Sequence, residues 1–518
     1  WDYDLFRVLP RVLAARDGVA AERALVEWID GLGAVAPCDP CAAPPAEGPI
    51  RPRLEWLDDP GFAGPDLRDR LRRIHANRLA APDHAYVGLG ATVSNPDFGD
   101  EAAYPGAAAP DEGFRLLALY RFWNIIEYWF PYRDLLEENW DHVLREFVPR
   151  ILEARSGDEY LLELIALSAR IHDTHANLHA SLHVLPPRGD CSLPVALRPV
   201  GDRFVVAHPA DSSAAAEGAL KRGDIVLAID GRPVDSLFIA WAPLYAASNE
   251  AARRRDVARF LGRGECDSVR LTIERTGRRL EVTARRGPSK TPGGAALAIH
   301  DHRGAAFRRL SQDLAYLTLS GAKADEMPDH VRRAAGAKCL VIDIRNYPSE
   351  FVVFALGRWL VGGETPFVRF TVCDPANPGA FVWRVEPLRL TPAESRFEGR
   401  VAILVDEVTQ SQAEYHAMAF RTAPGAVVVG STTAGADGNV SPIPLPGGAR
   451  GMISGLGVYY PDRRPTQRIG ILPDLRVLPT VEGIREGRDE VLEAAVRHVL
   501  GREMSREERR ALAPDAVR

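Results

Sequence analysis

Residues 401–421 read VAILVDEVTQSQAEYHAMAFR. Val401 to Val405 is an unbroken apolar run rich in β-branched side chains, which predicts a strand buried on both faces, as in a parallel sheet. The run breaks at Asp406 and Glu407, and apolar positions resume at Ala413, Tyr415, Ala417, Met418 and Phe420 as a helix. Ser411 stands at the turn between the two, with Glu414 three residues on. Ser-x-x-Glu is a capping box, a device that starts helices without any chemistry. The same setting suits a nucleophile, because free N–H groups and the positive end of the helix dipole stabilise an oxyanion there.

Outward from this unit the alternation continues. Leu314–Gly321, Lys338–Asn346 and Ala426–Gly430 are further strand candidates, and residues 325–336, 350–362 and 488–501 carry helical patterns. Such alternation predicts an α/β layer with a largely parallel sheet. STTAGADGN, residues 431–439, is a Gly-rich loop, but it lacks the Gly-Lys-Ser/Thr ending and the following helix of a phosphate loop. Residues 451–461, GMISGLGVYYP, continue in strands. Upstream, residues 192–287 read as a small β-rich module. Its strands are LPVALRPV and RFVVAHPA, then Ile225–Ile229 closed by an Asp230–Gly231 turn, then a hairpin over 268–286 with Thr276–Gly277 at its tip. A short helix is expected at 214–220 and a linker at 288–298. Before the module, RLLALYRFWNIIEYWF (115–130) is apolar almost all round and predicts a buried helix. Residues 135–156 and 158–171 predict two more. The first 35 residues read as helical, 36–66 as irregular, 67–80 as an Arg-rich amphipathic helix and 83–113 as loop.

The 518 residues are 46% hydrophobic and 26% charged, with a net charge of −6, which is a globular composition with no electrostatic invitation to nucleic acid or an anionic membrane. No apolar run reaches membrane-spanning length. Trp1 at the start fits a chain that has been processed or trimmed. Cys38 and Cys41 form a C-x-x-C in a Pro-rich segment, either a short-loop disulfide suited to an oxidising compartment or a reduced buried pair. Cys191, Cys266, Cys339 and Cys373 are scattered, and no second close pair exists for a zinc ribbon.

His172, His175, His179 and His183 are spaced three, four and four apart. On one continuous helix they would share a face, and residues 176–185 also alternate well enough to be a strand, on which His175, His179 and His183 would still share a side. The helical arrangement opens a zinc-hydrolase reading. Against it stand the absence of His-Glu-x-x-His and the placing of Asp173 on another face. Lysine occurs only at 221, 290, 323 and 338.

Four fragments in order carry a resemblance: D-T-H at 173–175, L-V-I-D-I-R-N at 340–346, T-Q-S-Q-A-E at 409–414 and G-I-L-P-D at 470–474. In order and setting they resemble the C-terminal-processing, or tail-specific, serine peptidases (serine peptidase family 41), over roughly residues 110–500. The resemblance implies an α/β fold with a ClpP/crotonase-like catalytic core, an inserted β-rich PDZ-like domain and an N-terminal helical region. The expected divisions are 1–109, of unassigned role; 110–190, a helical cap carrying the histidine; 191–287, PDZ-like; 288–307, linker; 308–503, peptidase core; and 504–518, a charged tail.

One design in the family pairs the serine with a lysine about 25 residues later. Ala436 stands near that position here, and no lysine follows Lys338, so that dyad is excluded. The tricorn-like design places a histidine before the PDZ-like domain, and His175, preceded by Thr174, matches it. A neutral imidazole is a suitable base for a serine hydroxyl at neutral pH. His416, five helical positions on, points about 140° away from Ser411. The family's orienting glutamate corresponds to Gln467, whose carbonyl could accept from the imidazole without stabilising imidazolium as a carboxylate does. The third member is therefore Gln467 with Thr174, or another carboxylate. The implied oxyanion donors are the N–H of Gln412 and one from Asn346 or Tyr347, since Pro348 has none.

The expectation is a serine endopeptidase acting on protein or peptide through an acyl-enzyme, with neither metal nor organic cofactor, in the periplasm or outside the cell. The alternatives are a weakened or inactive peptide-binding protein on the same fold and, more remotely, the zinc hydrolase of the 172–183 histidines.

Overall fold

The computed structural model describes residues 2–79, 87–106, 109–179, 183–209, 220–288, 300 and 304–512. They fall into two compact units. One comprises 1–167, 370–385 and 439–457; the other comprises 168–369, 386–438 and 458–518.

In the first unit the aromatic stretch forms a helix over Glu112–Trp129, capped by the Asp111 carboxylate, which accepts from Phe114 N at 3.0 Å. Its burial nearly all round includes Arg121, which is fully buried and donates to the carbonyls of Ala102 (2.8 Å) and Pro444 (2.7 Å). A buried guanidinium is tolerable because backbone oxygens and the Glu101 carboxylate 3.0 Å away replace its water. The next helix, Trp140–Glu153, locks to it through reciprocal indole bonds: Trp123 Nε1 to Trp140 O at 2.9 Å and Trp140 Nε1 to Trp123 O at 3.0 Å. Helices also form over Asp2–Leu13, Gly18–Gly31, Pro65–Ala76 and Gly157–Ala169. The region expected as loop holds one short antiparallel pairing, Gly88–Leu89 with Pro96–Asp97.

The second unit is built on a six-stranded sheet. Its strands are β1 (Phe307–Arg309), β2 (Leu314–Thr318), β3 (Cys339–Asp343), β4 (Arg400–Val405), β5 (Val427–Gly430) and β6 (Leu475–Arg476), hydrogen-bonded in that order. Only β1 runs antiparallel to its neighbour. Every residue of β2, β3 and β5, and all of β4 after Arg400, is buried, which is why these segments read as continuous apolar runs without alternation. One face is covered by the helix Glu490–Leu500, whose Val491, Leu492, Ala495 and Val496 join a core with Tyr316, Val341, Ala402, Leu404, Val427 and Val429. The helix expected over 350–362 is only Val353–Gly357. Beyond it the chain continues in turns, with Trp359 N donating to Leu356 O and Leu360 N to Gly357 O, both at 3.0 Å. Residues 365–373, with no expectation attached, form a strand, and the charged tail begins with a helix over Arg506–Leu512.

The β-rich module is a second sheet, ordered Arg278–Arg285, Ser268–Arg275, Ile225–Ile229, Arg203–Pro209, Val195–Val200, with Arg232–Pro233 paired to Ile225–Ile229. Its two tight turns fall where expected: Asp230 and Gly231 have φ of 48° and 77°, Thr276 and Gly277 of 50° and 75°. Two positive φ values in succession match the twist of the flanking strands. Two helices, Val234–Trp241 and Glu250–Leu261, complete it. The expected helix at 214–220 and linker at 288–298 lie, except for Leu220 and Pro288, outside the described residues.

Both cysteine pairs are closed, Cys38–Cys41 and Cys191–Cys266, while Cys339 and Cys373 are buried thiols. The second bridge was not legible, because its partners are 75 residues apart. They meet where the two-residue strand Cys191–Ser192 pairs with Arg263–Gly264. Closing so long a loop stabilises by about 4 kcal/mol in the chain-entropy account. A double Cys191→Ala/Cys266→Ala variant is therefore expected to lose about 3–4 kcal/mol in urea titration. Denatured, unreduced protein should titrate as two thiols, not six or four.

Among the described residues no helix is long and apolar enough to cross a membrane.

Candidate active site

All the residues singled out from the sequence for chemistry lie in the second unit. Ser411 leaves β4 through a pinned loop. Asp406 N donates to Thr409 Oγ1 (3.1 Å), whose hydroxyl donates to Ile344 O (3.2 Å), and Val408 N donates to Asp406 Oδ1 (2.9 Å). The loop delivers Ser411 at φ 57° and ψ −124°, immediately before the helix Gln412–Phe420. A serine pays roughly 1–3 kcal/mol for such a backbone, so the surrounding bonds must impose it. The sharp strand-to-helix turn with a strained serine is the arrangement that exposes a nucleophile in hydrolases.

Those bonds converge on the Gly-rich loop. Ser411 N donates to Ala436 O (2.8 Å) and to Glu414 Oε2 (3.3 Å). Glu414 is fully buried and also accepts from Gly435 N (2.9 Å), Ala436 N (3.0 Å) and the Thr433 hydroxyl. Burial pushes its carboxyl upward, and these donors hold it back. The residue legible as a helix cap therefore also ties the serine turn to residues 433–436. Asp437, next in that loop, is buried and accepts from Gly438 N at 2.6 Å. Burial and the neighbouring Glu414 raise it well above the usual carboxyl range.

The same loop receives the histidine segment. Thr174 Oγ1 donates to Ala434 O (3.2 Å), while Thr174 and Ser248 exchange bonds: Thr174 N to Ser248 Oγ (2.9 Å) and Ser248 N to Thr174 Oγ1 (2.8 Å). Thr174 thus fixes the backbone beside His175 rather than touching the imidazole. His175 is buried, and burial lowers its pKa, with Arg255 pushing the same way and Asp173 opposing. Loop 433–436 consequently accepts from the backbone N–H of Ser411 at Ala436 O and from the hydroxyl of Thr174 at Ala434 O.

The continuous helix that would align four histidines does not form. His172 has φ 52°, residues 172–176 turn, and Asn177–His179 is a strand. The side chain of His179 lies outside the described residues, and among those described no group of three His, Cys, Asp or Glu is arranged to hold a metal. The turn also corrects the placing of Asp173. Its Oδ1 accepts from His175 N at 3.1 Å and lies 3.9 Å from His175 Nδ1, whereas helical spacing would have turned the two apart.

Gln467 is buried, but its amide does not serve as the acceptor expected of it. Nε2 donates to Asp173 Oδ1 (3.3 Å) and Ser248 Oγ (3.4 Å), and Oε1 has no hydrogen-bond partner. His416 is occupied at both nitrogens, Nδ1 against Gln412 O and Nε2 accepting from Val352 N at 3.1 Å. Burial drives its pKa down to about 4, so it is a neutral structural imidazole.

The expected oxyanion donors sit on a braced loop. Arg345 is fully buried in a double fork. Its Nε and Nη2 reach Asp343 at 2.9 and 2.6 Å, and its Nη1 and Nη2 reach Asp489 at 2.8 and 2.7 Å. Asn346 donates its side-chain amide to His300 O, and Gln412 Nε2 donates to Glu350 O at 2.9 Å, joining loop and helix. Tyr347, expected as a backbone donor, brings its half-exposed phenol to the Ser411 side chain and the Gln412 backbone.

The model of peptidase family S41 matches residues 313–477, the span from β2 to the end of the sheet. No curated protein matches the chain. Among solved structures, mature CPAF complexed with lactacystin is similar at a TM-score of 0.58 and 16% identity, over 76% of this chain and 99% of that one. A serine-to-alanine mutant of CPAF is similar at 0.60 and 12%, over 76% and 99%. At such identities the likeness is one of fold. A strained serine on a parallel-sheet scaffold thus lies inside the span, residues 313–477, that the peptidase family S41 model matches, and this match supports a serine-type peptidase.

Proposed function

We propose that the chain is a serine endopeptidase that cleaves protein or peptide substrates through an acyl-enzyme, with Ser411 as nucleophile and His175 as general base and then acid. The observation that carries this reading is the backbone of Ser411, held at φ 57° between β4 and a helix by Glu414 and the 433–436 loop that also anchors Thr174. His175 takes the hydroxyl proton as Oγ attacks the scissile carbonyl carbon. The developing oxyanion is met by Gln412 N–H and by a second N–H from Asn346 or Tyr347. Collapse breaks the C–N bond, His175 protonates the departing amine, and a water deprotonated by His175 hydrolyses the ester. Tyr347 gives way to the substrate carbonyl in this scheme.

The sheet-and-helix core is read as ClpP/crotonase-like and the 191–287 sheet as a PDZ-like domain that captures or gates peptide. In such domains an extended segment adds a strand to a sheet edge. Two disulfides favour an oxidising compartment, periplasmic or extracellular. The domain divisions at 109, 190, 287, 307 and 503 belong to the same proposal.

A fluorophosphonate should label folded protein at Ser411, identified by peptide mass. Intact protein that stays unlabelled would favour the inactive peptide-binding reading instead. The pH profile gives an independent check. His175 must be neutral to act, and its pKa lies below the ordinary 6.5, so the acid limb of kcat/KM is expected below pH 6.5. An acid limb above 6.5 that vanishes in His175→Ala residual activity would contradict the buried, depressed imidazole.

A further inference from the structure

We infer that Asp173 is the positioning residue for the His175 imidazole, and that Gln467 serves it as a hydrogen-bond donor rather than acting on the histidine. This rests on the assignment of Ser411 and His175 above.

Asp173 is fully buried, and its Oδ1 lies 3.9 Å from His175 Nδ1. That is ion-pair range, longer than a hydrogen bond, and such contacts tighten when charge develops on the base. Two donors fix that oxygen: His175 N at 3.1 Å, which places the carboxylate by the histidine's own backbone, and Gln467 Nε2 at 3.3 Å. Gln467 in turn reaches Ser248 Oγ at 3.4 Å, and Ser248 is locked to Thr174. The chain of contacts runs Gln467, Asp173, His175, with Ser248 and Thr174 closing it behind. A carboxylate accepts and cannot donate, so the direction of the Gln467 bond is settled by its partner. The amide presents N–H to Asp173, and its own oxygen has no partner.

The other charged group acting on His175 is Arg255, held by Asp256 through Nε at 2.9 Å and by Glu407 O through Nη1 at 3.0 Å. It disfavours imidazolium, and the Asp173 carboxylate favours it. When His175 takes the serine proton, Asp173 is therefore the group that balances the charge. A glutamate at 467 would set a second carboxylate within about 3 Å of the first, and two such groups do not both ionise.

The test compares Asp173→Asn, Gln467→Glu and the double variant in the full chain, by kcat, KM, pH profile and thermal unfolding. Asp173→Asn is expected to lower kcat by about 10²–10⁴-fold with KM little changed, and to move the acid limb to lower pH, since the charge that raises the imidazole pKa is gone. Gln467→Glu alone should bring no gain in kcat. The double variant restores one carboxylate to the pair and should recover at least about tenfold of the lost kcat, with the acid limb moving back upward. That rescue separates charge support from a fold defect in the single variant. Near wild-type kcat and an unmoved limb in Asp173→Asn would overturn the inference, as would a rise of about tenfold or more in Gln467→Glu. If Ser411→Ala or His175→Ala stays active, the underlying assignment fails instead.

Discussion

Ser411→Ala is expected to lower kcat by about 10⁶-fold, which corresponds to about 8 kcal/mol of transition-state stabilisation. His175→Ala should cost a similar amount, and the double variant little more than either, because in the proposed mechanism the two act as one device. The fold should survive. Ser411 is held with its N–H on Ala436 O and Glu414, bonds that alanine keeps. Its backbone sits at φ 57°, a region where glycine is at ease, so Ser411→Gly is expected to unfold at slightly higher denaturant than wild type while being equally inactive. Steady-state cleavage of a denatured protein substrate, alongside urea unfolding, reads both effects. Retention of more than about one part in a hundred of the activity in Ser411→Ala would refute the nucleophile.

The largest loss of stability is expected at Arg345. Its guanidinium is fully buried between Asp343, at the end of β3, and Asp489, which caps the helix Glu490–Leu500 by accepting from Leu492 N at 3.0 Å. Tyr316 also donates to Asp343, at 2.8 Å. A buried ion pair adds little over a well-packed apolar substitute, yet removing one partner strands the others. Arg345→Met leaves Asp343 and Asp489 without their counter-ion and should cost about 3–5 kcal/mol in urea unfolding. Adding Asp343→Asn removes one stranded charge and should return part of that loss. Because Asn346 and Tyr347 follow directly, kcat should fall in Arg345→Met even below the unfolding transition. A loss under about 1 kcal/mol would mean that the pocket admits water or that the carboxyls protonate freely.

The six-stranded sheet was largely legible because its signals are local. β2 to β5 are buried on both faces, and burial on both faces writes itself as an uninterrupted apolar run such as Val401–Val405. The tight turns at Asp230–Gly231 and Thr276–Gly277 were legible for the same reason, since positive φ selects residue types at adjacent positions. The helix over 350–362 was overestimated because only Val353–Gly357 is helical, and the chain continues to Leu360 in three-residue turns that the apolar spacing does not distinguish from helix.

At the site, residue types and spacing placed Ser411 at a strand-to-helix turn, showed no lysine after Lys338 and turned His416 away from the serine, whereas His175 was proposed only through the family resemblance. Tertiary structure alone decided who surrounds them. Glu414 reads as a cap, but it becomes a buried anchor only because residues 433–436 fold over it. Asp173 reads as facing away from His175 on a helix, and it faces the ring because His172 takes a positive φ and the helix ends. Gln467 reads as an acceptor for imidazole and becomes a donor because a carboxylate, 294 positions away, reaches it first. Backbone preference acts over a few neighbouring residues, so a strand or a turn can be read from sequence. The partner of a buried polar group is whichever complementary atom the fold brings within about 3 Å, and that choice has no local signature.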